Sequence, residues 1–357
     1  MLPVLMGLQG FEPSQEELNL IREVEPAGFV LFSRNIESPQ QTRALTDTLR
    51  NISRHTPIIA IDQEGGRVVR TAGLGLALPS ARTLSETHDS SLIVEMAHII
   101  ATSLRYLGIN LDFAPVLDIC HDDSVSNALP GRCWGNNASD VISYAGMFNR
   151  NLSHFLLPGC GKHFPGMGRA SVDPHHDLPV IEASLDDLLQ SDFIPFSALA
   201  PELSSIMTAH ILLPSVDSDL PASLSPAITR QLLRNQLGYE GVVMTDDLCM
   251  GAISTRYGVA HAAIMAIKAS CDLPLICHDP MDSVREFAIL MKQEDMPNIV
   301  HDSQKRIERL ISKLPVPLPF NQSKWEETLT RSADLCRKTN DLAKEEASTP
   351  SSPVQFM

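Results

Sequence analysis

Eight short apolar runs punctuate the chain, at residues 3–8, 28–32, 57–61, 109–113, 158–163, 205–210, 241–245 and 272–277. Their lengths and their Val, Ile, Leu and Phe content are those of buried strands. Between most of them, apolar residues recur every three or four positions, over 90–107, 139–155, 185–199, 226–237, 259–270 and 282–292, which predicts amphipathic helices. Strands that alternate with helices pair in parallel, because each crossover returns over the sheet. Eight of them predict an α/β fold, a (β/α)8 TIM-type barrel, as one domain over residues 1–313. The competing open, doubly wound sheet carries a glycine-rich phosphate loop after its first strand. Here that strand runs into Gly7-Leu8-Gln9-Gly10 with no further glycine at the required spacing, and Gly65-Gly66 does not supply the fingerprint either.

The pattern changes after Ser312. Leu314-Pro315-Val316-Pro317-Leu318-Pro319 reads as an extended linker. Residues 325–346 are charged and predict one helix, and residues 347–357 read as a disordered tail. Residues 314–357 are therefore set apart from the barrel. The opening Met1-Leu2-Pro3-Val4-Leu5-Met6-Gly7-Leu8 lacks the basic flank and cleavage site of a secretion signal, so it is read as a strand. No apolar run reaches the ~18 residues that span a bilayer.

Length and composition fit this picture. A chain of 357 residues with 43% hydrophobic and 20% charged residues can bury a large core. The formal net charge of −15 opposes phosphate backbones and anionic lipid, which argues against nucleic-acid and membrane partners. Seven widely spaced cysteines, with no Cys-x-x-Cys pair, suggest reduced thiols and a cytoplasmic location rather than a disulfide framework.

Candidate chemistry gathers at the ends of the apolar runs. Ile61 is followed by Asp62-Gln63-Glu64-Gly65-Gly66-Arg67, Gly161 by Lys162-His163, Thr208 by Ala209-His210, and Thr245 by Asp246-Asp247. Barrel enzymes build their active sites at the C-terminal ends of the strands, so four separate strands aim ionisable groups at one rim. Carboxylates mixed with Arg, Lys and His suit the paired donors and acceptors of sugar hydroxyls, and no phosphate cradle is present. His163, Asp173, His175, His176 and His210 include possible metal ligands. Their spacing matches no metal motif, and no metal or cofactor is expected.

These motifs carry a specific resemblance. Gly161-Lys162-His163-Phe164-Pro165-Gly166-Met167-Gly168, Asp173-Pro174-His175 and Leu178-Pro179 together resemble the signature of glycoside hydrolase family 3. Asp62-Gln63-Glu64-Gly65-Gly66-Arg67-Val68, the stretch from Ile109 to Asp118 and the stretch from Gly238 to Leu248 are similar to other segments of that family, in the same order. The nearest branch is the bacterial β-N-acetylglucosaminidases, in particular the short cytosolic enzymes of peptidoglycan recycling. The resemblance implies a retaining exo-glycosidase that removes terminal β-linked N-acetylglucosamine from muropeptide-type saccharides in cell-wall recycling.

It also implies roles. Asp246 corresponds to the nucleophile, His175 to the general acid/base and Asp173 to the partner of His175. Asp62, Arg70, Arg132, Lys162 and His163 fall at sugar-binding positions, and His210 is placed with them on the substrate side. An imidazole can replace a carboxylic acid here because its unperturbed pKa, about 6.5, suits proton transfer near neutrality. Two positions depart from the family pattern: Met167 stands where a histidine is usual, and Pro174 where a small residue such as serine is usual. A glycosyl phosphorylase with the same residues and a catalytically silent sugar-binding protein remain the alternatives.

Overall fold

The computed structural model describes residues 1–122, 128–172, 178–294 and 297–339. Ten strands lie in this part: β1 (Leu2–Gly7), β2 (Pro26–Leu31), β3 (Ile58–Ile61), β4 (Gln63–Gly65), β5 (Val68–Val69), β6 (Leu111–Asp112), β7 (Cys160–Phe164), β8 (Ser205–Thr208), β9 (Val242–Asp247) and β10 (Leu273–Ile276). All but β4 and β5 form one parallel sheet in the order β6-β3-β2-β1-β10-β9-β8-β7. Its ends meet where Asp112 bridges Gly159 and the Cys160 amide donates to the Ala114 carbonyl at 2.8 Å. The result is the expected eight-stranded (β/α)8 barrel.

Side chains alternate across the barrel wall, as the two-residue strand period requires. Leu5, Val30, Ile58, Ala60, Val242, Met244 and Leu275 fill the barrel interior. Val4, Met6, Phe29, Ile59, Ile61 and Val243 pack outward under the helices. Continued to the strand ends, the same parity aims Asp62, Lys162 and Asp246 inward, above Ala60, Cys160 and Met244.

Helix starts follow local capping chemistry. Ser14 and Glu17 close a capping box on Gln15–Val24. Ser38 caps Pro39–Ile52, Asp89 caps Ser90–Tyr106 and Asn137 caps Ala138–His154. The helix expected over 185–199 is two helices, Leu185–Leu189 and Phe193–Leu199. Pro195 has no amide to continue the ladder back to Ser191, so the second helix starts afresh at Asp192. The segment expected over 226–237 winds as a π-helix, Ala227–Gln236.

Beyond the last barrel strand, Pro280–Gln293 and Pro297–Ile311 complete the outer layer, and a further helix, Gln322–Lys338, lies against Ser90–Tyr106. Trp325 is buried there, and Arg331 makes a bidentate pair with Glu95 at 2.8 Å per contact. Among the described residues, no helix is long and apolar enough to cross a membrane.

Candidate active site

The mouth of the barrel holds a cavity of about 600 Å³, part of it open to solvent. Asp62, Arg70, Arg132, Lys162, His163, Asp246 and Asp247 supply its polar wall, and Phe32, Phe113, Met167, Met207 and Met250 are among its apolar lining. Seven strand-end or adjoining residues from distant parts of the sequence thus share one space.

A small antiparallel hairpin delivers part of this wall. β4 and β5 pair through Gln63 and Val69, and through Gly65 and Val68. The turn needs Gly65 and Gly66, whose φ angles are +99° and +56°. At Gly65, a Cβ would lie 2.3 Å from the Pro79 carbonyl oxygen. The hairpin sends Glu64 and Arg70 towards the ends of β3 and β7.

The charges then interlock. Lys162 Nζ is 2.7 Å from Asp62 Oδ1 and 2.6 Å from Glu64 Oε1. Arg70 Nη2 lies 3.2 Å from Asp62 Oδ2. Arg132 Nε and Nη2 each donate to Glu64 at 2.8 Å. Burial opposes ionisation of Asp62 and Glu64, but Lys162 and Arg70 outweigh it at Asp62, and Arg132 and Lys162 outweigh it at Glu64. Both carboxyls are held below their ordinary range. Burial likewise disfavours the Lys162 ammonium, yet the two carboxylates push its pKa up to about 12. The wall therefore stays charged through the neutral range and presents donors and acceptors at fixed positions.

His163 is oriented from behind. Its Nδ1 lies 2.7 Å from Asp118 Oδ2, while Arg132 Nη2 is 3.3 Å from Nε2. Arginine only donates, so this network assigns the proton to Nδ1 and the lone pair to Nε2. Asp118 Oδ1 also accepts the Met167 amide at 2.8 Å, which ties the following loop to the same carboxylate. Farther along that loop, Arg169 Nε donates to Asp192 Oδ2 at 2.8 Å, and His121 Nε2 is 2.8 Å from Asp192 Oδ1. Pro179, Ile181 and Leu212 pair through their backbones on the far side. Asp173, His175 and His176 lie between these anchors but outside the described residues.

Asp246 and Asp247 end β9 and differ in their surroundings. Asp246 is partly exposed, and its Oδ1 accepts the Asp247 amide at 2.8 Å. Asp247 accepts the amides of Cys249 and Cys277, at 3.0 and 3.2 Å, and faces His278 Nδ1 at 2.7 Å. Asp247 touches the cavity but is turned to the neighbouring strand end. Asp246 has the inward parity that a group reacting inside the barrel mouth needs.

His210 does not line the cavity. It is buried, with Nδ1 2.8 Å from Ser223 Oγ and Nε2 2.9 Å from the Asp247 carbonyl oxygen. These two contacts brace the wall. Glu64 and Asp118 were missed as site residues. Each lies within a segment that resembles family 3, but their partners, Arg132 and His163, are remote in sequence.

Residues 4–310 match the glycosyl hydrolase family 3 N-terminal domain. The chain belongs to glycosyl hydrolase family 3. It is 32% identical over 336 residues to a β-hexosaminidase of Pseudomonas aeruginosa, covering 93% of this chain and 98% of that one. Among solved family 3 structures, a β-N-acetylglucosaminidase from Paenibacillus superimposes with a TM-score of 0.84 at 32% identity, covering 93% of this chain and 67% of the other. NagZ from Neisseria gonorrhoeae superimposes with a TM-score of 0.80 at 29% identity, covering 94% and 97%. That NagZ has also been solved in complex with N-trifluoroacetyl-D-glucosamine. As a family 3 member with this charged barrel mouth, the chain is a glycoside hydrolase.

Proposed function

We propose that this family 3 enzyme is a retaining exo-β-N-acetylglucosaminidase, with Asp246 as nucleophile and His175 as general acid/base. The observation that carries the reading is the inward-facing Asp246 at the end of β9, sharing a cavity with the Asp62–Lys162–Arg70 cluster and with Arg132 and His163. Terminal sugar hydroxyls fit that cluster, because a carboxylate accepts from one hydroxyl while an ammonium or guanidinium donates to its neighbour. The names of the relatives support the choice of sugar.

In the first step the Asp246 carboxylate attacks the anomeric carbon. The bond to the leaving oxygen breaks, and His175 gives that oxygen its proton. In the second step His175 takes a proton from water, whose oxygen attacks the anomeric carbon from the face that the leaving group vacated and displaces Asp246 on the opposite face, so that two inversions retain the configuration. Asp173 holds the imidazole and favours its charged form, following triad logic. These two roles rest on the family resemblance of the Asp173-Pro174-His175 motif. A cytoplasmic place in cell-wall saccharide recycling fits the reduced cysteines and the resemblance to NagZ-type enzymes.

The test is a comparison of an aryl β-N-acetylglucosaminide with the matching β-glucoside. We expect at least a tenfold preference in kcat/KM for the former, about 1.4 kcal/mol in the transition state. Equal rates would remove the substrate assignment. Product formation that requires inorganic phosphate would make the enzyme a phosphorylase instead.

A further inference from the structure

A chain of side chains runs along the rim behind the proposed nucleophile and has no part in the reaction above. Arg34 follows β2. Its Nε donates to the Leu8 carbonyl at 2.9 Å, past the end of β1, and its Nη2 donates to the Cys277 carbonyl at 2.6 Å, past the end of β10. The guanidinium lies 4.4 Å from the centroid of the Phe32 ring, which lines the cavity. Its Nη1 is 3.1 Å from His278 Nε2. On the opposite edge of the imidazole, Nδ1 is 2.7 Å from Asp247 Oδ2. Neighbouring strands β2, β1, β10 and β9 are thus laced together at their C-terminal ends, and the lacing stops at the residue next to Asp246.

The tautomer follows from the partners. A guanidinium has donors and no acceptor, so the His278 nitrogen facing it must offer a lone pair. The ring proton then sits on Nδ1 and donates to Asp247. With the Cys249 and Cys277 amides donating to its other oxygen, the Asp247 carboxylate is held on both sides. His210 holds the same residue by its carbonyl. What remains of Asp247 is its amide, and that amide donates to Asp246 Oδ1 at 2.8 Å.

We propose that Arg34, His278 and Asp247 are positioning residues that set the direction of the Asp246 carboxylate through the Asp247 amide. The proposal rests on the reading of Asp246 as nucleophile. Attack on an anomeric carbon depends steeply on alignment, and a displacement of about 1 Å can cost roughly 10²-fold in rate. The belt acts after the sugar is bound, so its loss lowers the rate of attack and leaves ground-state binding alone.

The experiment compares His278→Leu with His278→Asn in the full chain. The asparagine amide nitrogen branches from the same carbon as the imidazole Nδ1 and can keep the donor to Asp247; leucine cannot. The probe is a 5-fluoro N-acetylglucosaminyl fluoride, which labels the nucleophile in the first step and is released slowly. We expect His278→Leu to slow labelling roughly 10- to 10²-fold, with the inhibition constant of N-acetylglucosamine unchanged within about twofold. His278→Asn should recover most of the rate. Arg34→Met, which leaves the Asp247 contact to a histidine of either tautomer, should fall between the two. Equal labelling rates in His278→Leu and the parent would overturn the proposal, as would equal losses in the leucine and asparagine variants or a loss confined to binding. Label mapped to a residue other than Asp246 would overturn the nucleophile reading and this proposal together; label on Asp246 at an unchanged rate overturns this proposal alone.

Discussion

Glu64 grips Arg132 with both carboxylate oxygens, Oε2 on Nε and Oε1 on Nη2, each at 2.8 Å, in a fully buried pair. The same Glu64 touches Lys162 Nζ. One hairpin carboxylate therefore contacts two nearly buried cations of the cavity wall.

Glu64→Ala removes both contacts. Breaking a buried pair from one side typically costs about 3–5 kcal/mol, because the stranded charge stays desolvated. Thermal unfolding should show a large drop in Tm, and KM should rise more than kcat falls, since Arg132 and Lys162 lose their fixed places. Glu64→Gln, which still accepts one hydrogen bond, should fall between. A Tm within error of the parent in Glu64→Ala would show that the pair carries no such weight.

Asp118→Asn tests the orientation of His163. The carboxylate accepts from His163 Nδ1 and from the Met167 amide on separate oxygens. An asparagine can accept on only one of them. Losing one buried hydrogen bond of this kind costs about 1–3 kcal/mol. The expected result is a lower Tm together with a KM raised roughly five- to tenfold, at the upper end if His163 turns. An unchanged KM would separate His163 from substrate binding.

Asp112 gives a pH-dependent prediction of opposite sign to the site carboxylates. Burial raises its pKa well above 3.8, and among the described residues its Oδ2 has no hydrogen-bond partner. The unfolded chain ionises this group near 3.8, while burial makes the folded chain hold its proton to higher pH. Its penalty is thus absent below that pH and grows as pH rises above it. Asp112→Asn keeps an acceptor for the Gln63 amide, which donates to Asp112 Oδ1 at 3.0 Å, and cannot ionise. The variant should gain Tm over the parent at pH 7 and lose most of that gain at pH 3. The same difference at both values would rule out the linkage.

How much of this the sequence discloses depends on range. The strand runs were legible because a strand buried on both faces is a short apolar block with punctuation at its ends, as in Ile58-Ile59-Ala60-Ile61 before Asp62. The rim residues were legible because barrel strands point their last side chains at one mouth. The hairpin of β4 and β5 was not: Gln63-Glu64-Gly65 reads as a polar loop, and only its pairing with Val68-Val69 makes it strand. Glu64, Asp118 and His278 escaped for a related reason. Each acts on a partner 31 to 68 residues away, and no local spacing records such a contact. His210 looked like its neighbours at strand ends, yet its ring turns to Ser223 and the wall.

The proposed acid/base can be tested by leaving group. His175→Ala should lose roughly 10²–10⁴-fold on a natural disaccharide, the usual scale for proton transfer. With a dinitrophenyl leaving group, which needs no proton, glycosylation should slow far less. His176→Ala should be nearly silent on both. Equal loss on both substrates in His175→Ala would mean that His175 is not the acid, and a severe loss in His176→Ala would move the role to its neighbour.

The most direct measurement is the site of covalent attachment. Asp246 and Asp247 are adjacent, both border the cavity, and only Asp246 has the inward parity of β9, while Asp247 is tied to Cys249, Cys277 and His278. Incubation with a slowly released fluorinated N-acetylglucosaminide, followed by intact-mass analysis and peptide mapping, should find one sugar on Asp246, and the hydrolysis product should retain its anomeric configuration. Label on Asp247, or an inverted product, would contradict the account.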